Sequence, residues 1–179
     1  VSKQYGAEVP FLRPTKYSKD NSKDIEYILH LIKWLKDNEG YVPKYIVQLR
    51  PTSPLRDAKV VDKALCMMLS NSEATSLRSG HIASESPFKW FLRSGNGYFS
   101  SIVSKKYNNE VCNLPRQSFP KVYVPNGYVD IIETNFVQKT KMLYGQKMLG
   151  FVSPVCYEID TKDDFDYLEF LVKKNCNVL

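Results

Sequence analysis

An α/β fold built around a largely parallel sheet is what this sequence predicts, on three observations. Short β-rich runs alternate with stretches whose apolar residues recur at helical spacing. The central run Tyr45-Ile46-Val47-Gln48-Leu49 breaks off directly into a proline-rich loop, as a strand does at the ligand-binding end of an open α/β sheet. The composition, 43% hydrophobic and 25% charged over 179 residues, supports one domain with a real core.

Taken in order, Val1 to Pro10 reads as the tail of a helix capped by Gly6, with an extended piece at Glu8 to Leu12. A helix under way at residue 1 with no N-terminal cap leads us to expect an N-terminally truncated piece. Ile25, Ile28, Leu29, Ile32 and Leu35 then mark an amphipathic helix, with Asn21 as its expected cap. Asp24 and Glu26 fall in its first turn, where the helix dipole favours acids. Residues 45–49 predict a buried strand. It stops at Arg50-Pro51-Thr52-Ser53-Pro54-Leu55-Arg56, which suits neither helix nor strand. Asp57 caps a second helix with Val60, Val61, Ala64, Leu65 and Met68 on one face.

Thr75 to Ala83 reads as another strand. Residues from about 84 to 124 are turn-rich and aromatic, with Gly95-Asn96-Gly97 as a hairpin tip, and have the character of an inserted arm. A turn at Pro125-Asn126-Gly127 leads into a strand at Tyr128 to Ile132, and Met148 to Val152 is a weaker one. Tyr157-Glu158-Ile159-Asp160 is extended, and a helix from Asp163 to about Asn175 follows.

Composition also narrows the function. No apolar run approaches the roughly 18–20 residues that span a bilayer, and the start does not read as a charged-then-apolar leader, so the expectation is a cytoplasmic protein off the membrane. Cys66, Cys112, Cys156 and Cys176 form no CxxC pair and are expected to be free, buried thiols. With His30 and His81 the only histidines, neither a zinc site nor a hydrolytic triad has support. The net charge of +6 comes from scattered lysines, Lys16, Lys19, Lys23, Lys33, Lys36, Lys105 and Lys106 among them, with no basic stripe. A modest basic excess suits a small anionic substrate as well as it suits nucleic acid, so charge alone does not choose. The lack of a basic stripe or a stacking platform weighs against nucleic acid.

Three groups of residues could carry chemistry. The loop Arg50 to Arg56 brings two guanidiniums and two hydroxyls to the end of a strand on a backbone stiffened by prolines. Arginine's planar fork suits carboxylate and phosphate, although an ordinary proline-rich connection would look similar. Glu158 and Asp160 lie two apart in an extended segment and so point to one side, with Ile159 expected to pack inward. Two close carboxylates suit a magnesium ion that also grips a nucleotide phosphate, or else Asp160 or Thr161 caps the following helix while Glu158 is solvated. Arg13, Lys89 and Arg116 each sit beside a proline or an aromatic; taken singly each reads as a surface charge.

The run Ile46 to Arg56 resembles the Pro-Thr-Ser-Pro-Leu-Arg motif of the acylneuraminate cytidylyltransferases, which activate sialic acid as its CMP derivative. Tyr5 to Pro14 with Asp20, Ser86-Pro87-Phe88-Lys89, Pro115-Arg116-Gln117, Pro125-Asn126-Gly127 and Ile159-Asp160-Thr161 follow in that family's order and near its spacing. The resemblance implies a three-layer nucleotidyltransferase fold, GT-A-like and Rossmann-like, and a homodimer in which the arm serves dimerisation. It implies that CTP and a nine-carbon acid sugar give a CMP-sugar and pyrophosphate, with Mg2+ on Glu158 and Asp160. It places Arg13 and Ser22 near the cytidine nucleotide. Arg50, Thr52, Ser53, Arg56 and Asn126 line the substrate site, and Asp160, Arg116 and Lys89 serve catalysis, the last two from an arm that reaches toward the partner's sugar site.

Two departures and one absence accompany this. Arg50 stands where many members have glutamine, which points to a different acid sugar such as legionaminic or pseudaminic acid. Glu158 stands for an aspartate. The family's glycine- and lysine-containing phosphate loop has no counterpart and is expected before Val1. The alternative reading is a non-catalytic sugar-acid or protein-interaction module derived from this fold.

Overall fold

The computed structural model describes residues 1–103 and 109–176; Lys105 and Lys106 fall outside them. Helix α1 spans Asp24–Glu39. Its cap lies beyond the expected Asn21: Lys23 flanks the helix, and its N–H donates to the Glu26 carboxylate at 2.9 Å. The acid that favours the helix dipole thus also closes the first turn. Gly40, at φ 64°, ends the helix in the left-handed conformation that a side chain disfavours. Strand β1, Tyr45–Gln48, and helix α2, Ala58–Leu69, follow, with Asp57 Oδ1 accepting from Lys59 N–H at 2.9 Å as the cap.

Strand β2 is Ser76–Ile82, and a small hairpin of β3, Phe91–Arg93, and β4, Phe99–Ser101, turns at Gly97. Strand β5 is long, Tyr123–Glu133, and runs straight into helix α3, Thr134–Thr140, which the sequence reading did not foresee. Strand β6, Met148–Val152, and helix α4, Lys162–Cys176, complete the order.

The main sheet has the order β1-β5-β2-β6. Strands β1, β2 and β6 share a direction, as expected; β5 lies between β1 and β2 and runs the other way. The arm explains the reversal. It leaves the sheet after Ile82 and returns at Tyr123, and these two residues pair, so β5 must run back along β2.

Two apolar clusters cover the two faces. Ala64 and Met68 of α2 pack on Leu77, Val129 and Ile131; Ile28 and Ile32 of α1 and Val137 of α3 pack on Ile46 and Ile132. Burying several such side chains at roughly 1.5–3 kcal/mol each makes this the stabilising centre of the molecule.

Several expectations are corrected. Glu8 to Leu12 forms no strand; the Phe11 ring instead packs on His30 and Trp34, with centroids 4.9 and 5.1 Å away, so aromatic contact replaces a ladder. Pro125-Asn126-Gly127 is not a turn before β5 but an irregularity within it. Arg78 pairs with Asp130 while Gly80 pairs with Pro125, so residues 126–129 bulge opposite Ser79. Of the thiols, Cys112 is buried, Cys156 half-buried and Cys66 exposed, because Cys66 falls on the outer face of α2. Among the described residues no helix is long and apolar enough to cross a membrane.

Candidate active site at the carboxyl end of the sheet

The loop after β1 and the segment before α4 meet directly. The Ile159 N–H donates to the Thr52 carbonyl at 2.8 Å. One residue earlier, Glu158 Oε1 accepts from the Gly127 N–H at 2.7 Å. Gly127 is where three pieces converge: a Cβ there would stand 2.5 Å from Ser53 Oγ, 2.9 Å from Glu158 Oε1 and 3.0 Å from Arg50 Cδ. A side chain cannot fit, so glycine is required at this bulge for close approach and not for its dihedral freedom.

Arg56 clamps the same junction from beneath. Its guanidinium donates to the carbonyls of Tyr128 at 2.7 Å, Arg50 at 2.5 Å and Gly127 at 2.7 Å. Its role is therefore to fix the loop against β5. Asn126 is likewise held within the protein. Its Oδ1 accepts from the Ser79 hydroxyl and from Tyr128 N–H, and its Nδ2 donates to Ser153 Oγ and His81 Nδ1. At 6% exposure it positions Gly127, with its hydrogen-bonding capacity engaged internally.

Ser53 is fully buried and its hydroxyl has no partner, while Thr52 is exposed beside it. Glu158 and Asp160 are both exposed and Ile159 is half-buried rather than in the core. Asp160 does not cap α4. Thr161 Oγ1 accepts from Asp164 N–H, and the Asp164 carboxylate takes the N–H groups of Asp160 and Thr161 at 3.2 and 2.8 Å. Hydrogen bonds from Thr161 hold the Asp164 carboxyl below the usual range. This reciprocal arrangement leaves the Asp160 side chain without a capping duty.

The donor set suits magnesium. Glu158 has one oxygen on Gly127 and the other unclaimed, and among the described residues no three His, Cys, Asp or Glu side chains cluster. Magnesium characteristically takes one or two carboxylates and fills its octahedron with water and phosphate oxygens, whereas zinc would demand a closed set.

On the α1 side of the loop a cleft of about 470 Å³ is bounded by Arg13, Asp24, Tyr27, Gln48, Arg50 and Thr52. The Arg13 guanidinium lies 4.1 Å from the Tyr27 ring centroid. Ser22 does not bound this cleft; it lies in a turn before α1, where its Oγ accepts from Lys19 N–H. Arg50 Nη2 pairs with Asp24 Oδ2 at 2.7 Å, and Gln48 Nε2 donates to the same oxygen at 3.1 Å. Burial alone would lower the Arg50 guanidinium, but the Asp24 carboxylate outweighs it and Arg50 is held above its ordinary value.

Lys89 and Arg116 lie apart from this junction, on the arm. Lys89 closes a short turn after Ser86, and Arg116 Nη2 donates to the Ala83 carbonyl at 2.8 Å. A buried charge cluster escaped the sequence reading. Asp130 of β5, 2% exposed, accepts from the Tyr144 hydroxyl at 3.0 Å and lies 3.9 Å from Arg50 and 3.8 Å from Arg78. Burial pushes its carboxyl up, against the pull of Tyr144, Arg78 and Arg50. The signal was an ionisable residue within the apolar run Tyr128 to Ile132.

No family model matches the chain. Its sequence is 24% identical over 171 residues to the N-acylneuraminate cytidylyltransferase of Escherichia coli O18:K1:H7 (strain RS218 / NMEC), covering 93% of this chain and 37% of that protein. The chain thus spans little more than a third of the length of this curated relative. Its structure superposes on a 4-diphosphocytidyl-2C-methyl-D-erythritol synthase from Anaerococcus prevotii DSM 20548 with a TM-score of 0.57 at 7% identity, covering 86% of this chain and 68% of that one. A CMP:2-keto-3-deoxy-manno-octonic acid synthetase in complex with CTP gives 0.55 at 11% identity, over 87% and 70%. The chain shares the fold of these two solved structures. In that fold the loop after β1, the bulge in β5 and the segment before α4 of this chain come to one end of the sheet, where open α/β sheets bind ligands.

Proposed function

We propose that this chain is the core of a CTP-using cytidylyltransferase that transfers CMP to a nine-carbon, sialic-type acid sugar and releases pyrophosphate. The observation that carries the proposal is the 2.8 Å bond from Ile159 N–H to the Thr52 carbonyl, which ties the hydroxyl-bearing loop and the acidic pair to one site. The sequence likeness along 93% of the chain and the shared fold support it.

In this reading Arg13 and Ser22 approach the cytidine nucleotide. Arg50 and Thr52 face the sugar, and the buried Ser53, with Arg56 and Asn126, holds the loop and bulge in place. Glu158 and Asp160 would hold Mg2+, which when bound draws charge off the phosphates. The sugar's anomeric hydroxyl oxygen bonds to the α-phosphorus as the bond to the β-phosphate oxygen breaks. Pyrophosphate leaves with that electron pair, the hydroxyl proton passes to water, and no covalent enzyme intermediate forms. The residues contribute positioning and charge neutralisation. Lys89 and Arg116 act from the arm of a second copy in a homodimer, and the setting is the cytoplasm.

Pyrophosphate release from CTP tests this, with N-acetylneuraminate and related nine-carbon acids as acceptors. Release that requires both acid and Mg2+ is expected; acid binding without any release would instead make the chain a non-catalytic sugar-acid module.

A further inference from the structure

We infer that Asp24 is a positioning residue: it turns Arg50 toward the open cleft beside α1, where the guanidinium takes the carboxylate of the acid sugar. This deepens the sugar-acid reading above and rests on it. Arg50 stands between two acids. Its Nη2 is 2.7 Å from Asp24 Oδ2 and 3.9 Å from Asp130 Oδ2. The farther acid is 2% exposed, and its Oδ2 already accepts from the Tyr144 hydroxyl at 3.0 Å. The nearer one bounds the cleft of about 470 Å³ together with Arg13, Tyr27, Thr52 and Arg50 itself. The Asp24 and Arg50 side chains are 31% and 33% exposed, so this pair is open to a ligand where Asp130 is closed. Which acid holds Arg50 therefore decides whether its charge faces the cleft or the interior.

Asp24 is itself held in place. It is the first residue of α1, where the helix dipole favours a carboxylate. Gln48 Nε2 donates to the same Oδ2 at 3.1 Å, so β1 fixes the acid from the side. The bond to Asp24 engages only Nη2 of the Arg50 fork. Among the described residues Nε and Nη1 have no protein acceptor, and their N–H groups can serve an incoming carboxylate in charge-assisted hydrogen bonds. The location fits the chemistry. A Cβ at Gly127 would stand 3.0 Å from Arg50 Cδ and 2.9 Å from Glu158 Oε1, so Arg50 and the acidic segment adjoin one point. In a 2-keto acid sugar the carboxylate is bonded to the anomeric carbon, whose hydroxyl is the nucleophile. Gripping the one therefore orients the other.

Calorimetry with N-acetylneuraminate and with its methyl ester, and separately with CTP and Mg2+, tests this on the native chain, Asp24→Ala, Arg50→Gln and the double variant. The native chain should prefer the free acid to the ester. Without Asp24 the nearest anion to Arg50 is the buried Asp130, and the guanidinium withdraws toward it. Asp24→Ala should weaken binding of the free acid by roughly 10- to 100-fold, the loss of a charge-assisted hydrogen bond, and leave the ester and CTP unchanged. Arg50→Gln alone should lose the same preference for acid over ester. In that background Asp24→Ala should have no further effect, because the two residues act as one unit. A merely structural pair would weaken acid and ester alike, and that result overturns the assignment. A native chain indifferent to the ester, or full additivity in the double variant, overturns it too. If CTP binds and neither acid nor ester does, the positioning role falls and the nucleotide reading stands. If nothing binds, both fall.

Discussion

At Gly127 the molecule depends on the absence of a side chain. Its virtual Cβ would lie within 3.0 Å of Ser53, Glu158 and Arg50 at once, and Ser53 cannot retreat because it is fully buried. Gly127→Ala should therefore force the loop and the acidic segment apart. A loss of about 1–3 kcal/mol in urea unfolding is expected from overpacking alone, with a larger fall in turnover because Glu158 loses its backbone anchor. Unchanged stability and activity would mean the junction is looser than these distances imply. The sequence singled out Thr52, Ser53, Glu158 and Asp160 because a strand end and an extended acidic pair are local features. It did not reveal that Arg56 and Asn126 turn inward: their partners, the carbonyls of Tyr128 and Gly127 and the side chains of Ser79, His81 and Ser153, are brought near only by the bulge.

Among the elements, β5 departs most from its reading. Local pattern identified Tyr128 to Ile132 as a strand but could not show that the arm returns the chain beside Ile82, which sets its direction and draws Tyr123 to Gly127 into the sheet. Nor did pattern find α3, whose seven residues are too few to show a helical period. The same strand carries Asp130 into the interior, where burial raises its carboxyl above the ordinary range. An acid whose folded value is raised binds its proton more tightly when folded, so its contribution to stability is fullest below the unfolded value and is lost as pH rises through the folded one. In the native chain, stability relative to Asp130→Asn should accordingly decline as pH rises from the ordinary carboxylate range upward, then level off. Parallel pH–stability curves for the two proteins would show that Arg78, Arg50 and Tyr144 compensate the charge fully.

For the whole molecule, two apolar clusters on opposite faces of one sheet hold its carboxyl end rigid, and the proposed chemistry is confined to that end. The α/β class was legible because alternation of strand and helix is written in the sequence. The long-range meeting of residues 52 and 159 was only implied by resemblance, and the backbone hydrogen bond between them makes it concrete. The central claim is that this junction binds a nucleotide through a metal on the acidic pair. Calorimetry with CTP, with and without Mg2+, on the native chain and on Asp160→Ala tests it most directly. Metal-dependent CTP binding that weakens at least tenfold in Asp160→Ala is the predicted result; binding indifferent to both magnesium and Asp160 would contradict the account.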